Sequence, residues 1–285
     1  MIEEVAEKIR RVEIQGATNV AVAALRAVKS FAEKHGPEEV HRGIDTLLET
    51  RPTEPLMRNT LLPLKSVEDP AAIVERVDKL LRLIDESASR LVEIGARLVE
   101  DGSVVQTICH SSTVVKILLR ARDEGKQVRA VVTETRPLYQ GRITAEELYK
   151  GGVPVKFYAD SAMYLAMERE KVNMCLVGLD AIFVDGSVVN KVGTGLLALA
   201  AEARELPFYA CGLALKLDRG SLMAKSVSIE QRDPRELWSF PVAVENPAFE
   251  VVPAKRIKGI TTELGVLPPA MAYMEITKNY DLQEQ

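Results

Sequence analysis

Cysteine and histidine are scarce in this chain, with three of each among 285 residues. Cys109, Cys175 and Cys211 stand far apart, without a C-x-x-C pair, which excludes a disulfide framework. His35, His41 and His110 are too few and too scattered for a structural zinc site. No run approaches the ~18 apolar residues of a membrane span. A basic excess is also missing: 37 Lys and Arg against 41 Asp and Glu give 37 − 41 = −4. Such a chain lacks the global positive field of a nucleic-acid binder. Internal repeats and low-complexity stretches are absent. The first residues, Met1-Ile2-Glu3-Glu4, are acidic where a signal peptide is basic. The expectation is a soluble, cytoplasmic protein with neither a membrane nor a nucleic acid as partner.

What is present is an ordinary globular balance, 47% apolar and 27% charged, over a length that suits one large domain or two modest ones. The first hundred residues carry apolar stripes at helical spacing: Ile2, Val5, Ile9; Val20, Ala24, Val28, Phe31; Val40, Ile44, Leu47. Asp69-Pro70 reads as a cap and a first-turn proline, opening a long stripe from Ile73 to Leu98. After Gly102 the period changes. Short apolar runs at Val104–Cys109, Val128–Thr133, Val155–Tyr158, Met174–Gly178 and Phe208–Gly212 alternate with helical segments. Thr144 and Glu147 read as a capping box and Asp185-Gly186 as a tight turn. The fold class expected is α/β: a helical N-terminal domain, 1–100, then a Rossmann-like, doubly wound, mostly parallel sheet, 101–285. Pro234–Pro269 reads as irregular.

Ligands in such sheets bind beyond the carboxyl ends of the strands. Cys109-His110-Ser111-Ser112 closes the first strand and opens a helix. Helix-start N–H groups bind anions and lower a thiol pKa, so Cys109 is a candidate base or nucleophile and Ser111 and Ser112 candidate phosphate holders. From these residues alone, a buried cysteine beside a serine cap is the favoured reading, because a free cysteine is commonly buried. Neighbouring Cys109 and His110 would face opposite sides of a strand, so no Cys–His pair is expected. Gly193-Thr194-Gly195 with Ala198 matches a dinucleotide fingerprint, but it follows a hairpin rather than the first buried strand. A helix start beside Asn190 and Lys191 still suits a phosphate. Asp180 ends an apolar strand, as a cap, a solvated group or a cleft acid. Arg51, before Pro52-Thr53, and Arg136, near Gln140, are phosphate-facing arginines or partners in surface ion pairs.

Taken together, several segments resemble one family. They are Glu49-Thr50-Arg51-Pro52-Thr53, Cys109-His110-Ser111, Thr133-Glu134-Thr135-Arg136-Pro137, Gln140-Gly141, Asp160-Ser161-Ala162, Asn190-Lys191-Val192-Gly193-Thr194, Arg232-Asp233-Pro234 and Asn246-Pro247-Ala248-Phe249. The family contains regulatory subunits of translation initiation factor 2B, methylthioribose-1-phosphate isomerase and archaeal ribose-1,5-bisphosphate isomerase. Cys-His-Ser with Arg-Asp-Pro points to the last branch. The resemblance implies conversion of ribose 1,5-bisphosphate to ribulose 1,5-bisphosphate in nucleoside monophosphate (AMP) salvage. It implies a phosphorylated pentose as substrate and a homo-oligomer built from dimers, such as a hexamer. It assigns Cys109 as catalytic base and Asp180 as catalytic acid. It assigns substrate binding to Arg51, Ser111, Asn190, Lys191 and Lys216, with Gln15, Gly16 and Ala17 in an N-terminal phosphate loop. Ser112, Arg136, Gln140 and Gly193 complete the expected substrate-binding set. The implied reaction requires no cofactor and no metal.

The sequence departs from the family pattern at three places. Gln15 stands where the family has arginine, which removes a charge from the loop. Leu179 replaces alanine before Asp180, and Leu213-Ala214 replaces a Glu-Thr pair before Lys216. A regulatory subunit binding a sugar phosphate or nucleotide, and a methylthioribose-1-phosphate isomerase, are the alternative readings.

Overall fold

The structure is a computed structural model that describes residues 1–51, 54–220 and 229–280. The N-terminal stripes fold as α1 (Ile2–Arg10), α2 (Ala17–Ala32), α3 (Pro37–Leu48), α4 (Pro55–Leu61) and α5 (Pro70–Leu98). Their apolar faces meet one another: Ile9, Leu25, Ile44, Leu56 and Ile73 are all buried in one cluster. At the start of α5 the Asp69 carboxylate accepts the Ala71 N–H at 3.0 Å, with Pro70 in the first turn. That is the cap the sequence indicates, and the proline forfeits no bond there.

Past Asp101-Gly102 the chain alternates β1 (Val104–Thr107), α6 (Ser112–Asp123), β2 (Arg129–Thr133), α7 (Gln140–Lys150), β3 (Val155–Tyr158), α8 (Met163–Arg169) and β4 (Met174–Gly178). A hairpin follows, β5 (Ala181–Phe183) and β6 (Val188–Lys191), turning at Asp185-Gly186. Then come α9 (Thr194–Ala203), β7 (Phe208–Cys211), β8 (Leu217–Asp218), β9 (Phe249–Val252), β10 (Gly259–Thr262), β11 (Gly265–Leu267) and α10 (Pro269–Asn279). The main sheet has the order β11-β10-β7-β4-β1-β2-β3 and is parallel except for β11. Apolar clusters cover both of its faces, one continuous with the N-terminal helices and one built on α6 and α7. This two-sided cover explains why its strands read as unbroken apolar runs.

The chain winds outward from β1 to β3 and then returns to place β4 on the other side of β1. The crevice between the carboxyl ends of β1 and β4 is therefore the topological switch point.

Three expectations need correction. Thr144 is no cap: α7 already begins at Gln140, and the buried Thr144 hydroxyl donates to the Cys109 carbonyl at 2.8 Å. Pro234–Pro269 is not irregular throughout, because β9, β10 and β11 lie within it. The first strand stops at Thr107 rather than Cys109, where φ turns to +63°. A second, four-stranded sheet, β8-β5-β6-β9, has no counterpart in the reading of the sequence.

Asn59 of α4 ties the helical region to the turn that carries Lys216. Its Nδ2 donates to the carbonyls of Leu215, at 2.8 Å, and Leu217, at 2.9 Å. An alanine there leaves two part-buried acceptors unmet. Asn59→Ala should lower the unfolding free energy by about 2 kcal/mol in urea titrations; an unchanged midpoint and slope would refute that role.

Candidate active site

A cavity with about 1010 Å³ of empty space opens at the switch point, bordered by the α2 start, the β1–α6 turn and the β4–β5 turn. Cys109 lies on its wall. The left-handed backbone of this residue is held from both sides. Its N–H donates to Thr135 Oγ1 at 2.8 Å, and its carbonyl accepts from Thr144 Oγ1 at 2.8 Å. Thr135 is itself fixed, since its N–H donates to Asp160 Oδ1 at 2.8 Å. His110 turns away to Thr144 Oγ1, at 3.2 Å through Nδ1, and forms no pair with the thiol.

Ser111 caps α6, its hydroxyl accepting the Val114 N–H at 3.4 Å, and it lines the cavity with Ser112. Opposite stands Gly178. A β-carbon there would come within 2.7 Å of Ser111 Oγ, so only glycine admits the serine. From the N-terminal side Gln15, Gly16 and Ala17 reach the same cavity. Gly16 needs its φ of +83° to start α2, and no side chain caps that helix. Ala17, Thr18 and Asn19 of this first turn line the cavity, and uncapped helix-start N–H groups suit an anion.

Asp180 follows β4, held by its N–H to the Val189 carbonyl at 2.8 Å. Leu179, beside it, is buried against Gly212, where an added β-carbon would lie 2.6 Å from its Cδ1. Lys216 is buried too, and its Nζ donates to the Leu179 carbonyl at 2.6 Å. Asn190 and Lys191 come from β6, with Asn190 Nδ2 on Thr194 Oγ1 at 3.0 Å. Arg51 pairs loosely with Glu230 at 3.9 Å, and Gln140 completes the wall. Pro52 and Thr53 of the Arg-Pro-Thr motif lie outside the described residues.

Two expected site residues are elsewhere. Arg136 is exposed and directs Nη1 to the Tyr139 hydroxyl at 2.7 Å, outside the cavity lining. Gly193 does start α9, but no phosphate position remains there. The Glu250 carboxylate from β9 accepts both the Gly193 N–H and the Gly195 N–H. The chain's own acid therefore occupies that anion site.

Burial dominates the electrostatics. It pushes the Cys109 thiol up to about 12, against help from the His110 N–H and the Lys191 charge. Burial thus favours the protonated thiol, contrary to the thiolate that the helix start suggested. Burial also raises the Asp180 carboxyl above its ordinary value, although Lys216, Arg51 and Lys191 oppose it. Lys191 is pushed down by the same cause.

Reasoning from the sequence missed two residues here. Arg232 lines the cavity, gripped by Glu236 at 2.7 Å and near Glu230 at 3.6 Å, while its buried Nε has no partner. Its Arg-Asp-Pro motif was legible, its role was not. Glu54 is buried beside Asp180 and belongs to no motif read in the sequence.

Parallel strands and a switch-point cavity lined by a thiol, a carboxyl and several cations define the candidate site. The Initiation factor 2 subunit family matches residues 13–269, and the chain belongs to that family. It is 35% identical to the ribose 1,5-bisphosphate isomerase of Archaeoglobus fulgidus, over 96% of this chain and 92% of that one. A Pyrococcus horikoshii structure described as translation initiation factor eIF-2B superposes with a TM-score of 0.87 at 30% identity, covering 99% of this chain and 98% of that one. The 5-methylthioribose 1-phosphate isomerase of the same organism gives 0.82 at 28% identity, over 98% and 88% of the two chains. The chain is an enzyme of the isomerase class. No helix among the described residues is long and apolar enough to cross a membrane.

Proposed function

We propose that the chain converts ribose 1,5-bisphosphate to ribulose 1,5-bisphosphate, with Cys109 as base and Asp180 as acid. The observation that carries this reading is the convergence of two helix starts, those of α2 and α6, on one thiol–carboxyl pair, with Arg51, Lys191, Lys216 and Arg232 around it. Two anion-binding helix starts suit two phosphates; a thioether would use one of them poorly.

A phosphate on the anomeric carbon prevents ring opening to a free aldehyde. Opening must accompany loss of the C2 proton. The Cys109 thiolate takes that proton, the electron pair forms the C1–C2 double bond, and the C1–ring oxygen bond breaks. Asp180 delivers its proton to the departing ring oxygen. The resulting enol then collapses: Cys109 returns its proton to C1, and the Asp180 carboxylate takes the proton from the C2 hydroxyl. No proton is gained or lost over the cycle. Because the resting thiol is protonated, the reactive form has the Cys109 proton moved onto Asp180. Burial favours the neutral carboxyl, and Lys191 offsets part of the cost of the thiolate.

Gln140 Oε1, buried on the cavity wall without a partner, is placed to accept a sugar hydroxyl. The Arg232 Nε without a partner is placed to donate to a phosphate. With Gln15 uncharged, Arg232 supplies positive charge that the α2 loop lacks. The reading extends to a place in nucleoside monophosphate salvage and to a homo-oligomer built from dimers. Tyr164 and Leu165 on α8 and Leu196 and Leu199 on the adjoining α9 form an exposed apolar face that a second copy would cover.

The test is direct. The purified protein is incubated with ribose 1,5-bisphosphate, and separately with methylthioribose 1-phosphate, while NMR follows the ketose. Ketose from the bisphosphate alone is expected. Turnover of the thioether substrate alone, or of neither, would overturn the assignment.

A further inference from the structure

Glu54 joins Gln140 and Arg232 among the described buried side chains that keep a polar atom without a hydrogen-bond partner. The residue immediately precedes α4 and is 4% exposed, yet its Oε1 has no hydrogen-bond partner. Its carboxyl does not cap α4, although it stands in the cap position. It lines instead a second, much smaller cavity. Arg51, Asp180, Glu230 and Phe249 line both cavities. Asp180 is thus common to the wall of the substrate cavity and to the wall that Glu54 lines.

The charged groups around this pair are few. Facing Glu54 are Asp180, Lys216, Arg51 and Glu230. Asp180 meets Lys216, Arg51, Lys191 and Glu230. Asp218 also lines the second cavity and is held by Arg58 at 2.6 Å. The cations have other engagements, Lys216 with the Leu179 carbonyl and Arg51 with Glu230. Two enclosed carboxyls in such a place do not both ionise near neutral pH; the second proton is held by the first charge.

We propose that Glu54 and Asp180 form a carboxyl–carboxylate pair that shares a proton, making Glu54 the positioning residue that keeps Asp180 supplied as an acid. The inference rests on Asp180 being the acid of the reaction. Burial and the Asp180 charge push Glu54 up to about 8, with Lys216 and Arg51 opposing. The proton thus stays in the pair across the neutral range.

The first measurement needs no substrate. Infrared difference spectra at pH 7 compare the intact protein with Glu54→Gln. The protonated carboxyl band is expected in the former and clearly weaker in the latter. In Asp180→Asn the same band should titrate away at lower pH, because the charge that holds the Glu54 proton is gone. Absence of the band, or a midpoint unmoved in Asp180→Asn, would overturn the pair even if the protein isomerises the bisphosphate.

The second measurement is kcat/KM against pH. Base and acid act in reverse protonation, so the rate rises with pH until the acid pair titrates and then levels. Glu54→Gln should bend at lower pH and level about tenfold lower, the effect of one pKa unit on the proton held by Asp180. The two curves should converge at acid pH, and their ratio cancels the titration of the substrate itself. Glu54→Asp keeps an acid and should recover part of the loss. A parallel drop at every pH would mean a merely structural role and would overturn the inference. Absence of all turnover in the intact protein would instead sink the isomerase assignment, leaving the infrared result to decide the pair.

Discussion

Cys109→Ser should lower kcat by about 10²- to 10⁴-fold, the range a positioned proton-transfer group contributes, while KM moves little. Serine is nearly isosteric and keeps the backbone bonds to Thr135 and Thr144, so the turn at φ +63° persists. The groups proposed to face the phosphates belong to other residues lining the cavity: the α2 start, Arg51, Lys191 and Arg232. What changes is basicity. A hydroxyl yields its proton far less readily than a thiol, even one that burial has lifted to about 12. Cys175 and Cys211 offer no substitute, since both are buried in the sheet and away from the cavity lining. Steady-state kinetics with a thermal melt check the result. A folded variant that keeps turnover within about twofold would remove Cys109 from the proton-transfer steps, where even a modest contributor supplies ~10²-fold.

The sequence made the route to this cavity legible, but not all of its contents. Unbroken apolar runs after Gly102 announce buried parallel strands, and the switch-point rule then directs attention to strand ends. Cys109, Ser111, Asp180 and Lys216 sit at such ends, and the structure gathers them around one space. Arg136 was misplaced because a nearby motif says nothing about where a long side chain turns, and here Tyr139 captures it. Gly193 was misplaced for a different reason. A helix start attracts any anion, and Glu250 from a strand more than fifty residues later arrives first. That strand lies in a segment whose prolines and short runs hide its order. Glu54 was invisible because a glutamate before Pro55 reads as an ordinary helix entry. Only its burial without a partner distinguishes it.

Asp180→Asn should cost a similar ~10²- to 10⁴-fold in kcat/KM, and its pH profile separates the acid from the base. The sign follows from the two groups. Burial raises both, the thiol to about 12 and the carboxyl above its ordinary value. Below the carboxyl pKa the acid is already protonated, so the rate climbs with pH as thiolate forms. Above it, each gain in thiolate is matched by an equal loss of acid, and the curve levels. Asparagine has no proton to lose. The residual activity of the variant should therefore keep climbing where the intact enzyme levels. At the alkaline end the variant has a second signature. The Asp180 charge holds the Cys109 proton, so removing it should make the thiol easier to ionise and speed its alkylation by iodoacetamide. Slower turnover together with a more reactive thiol is hard to produce by misfolding or by lost binding. A profile that still levels at the same pH, or a thiol no more reactive than before, would mean that the acid of the reaction is another group, with Glu54 the nearest alternative.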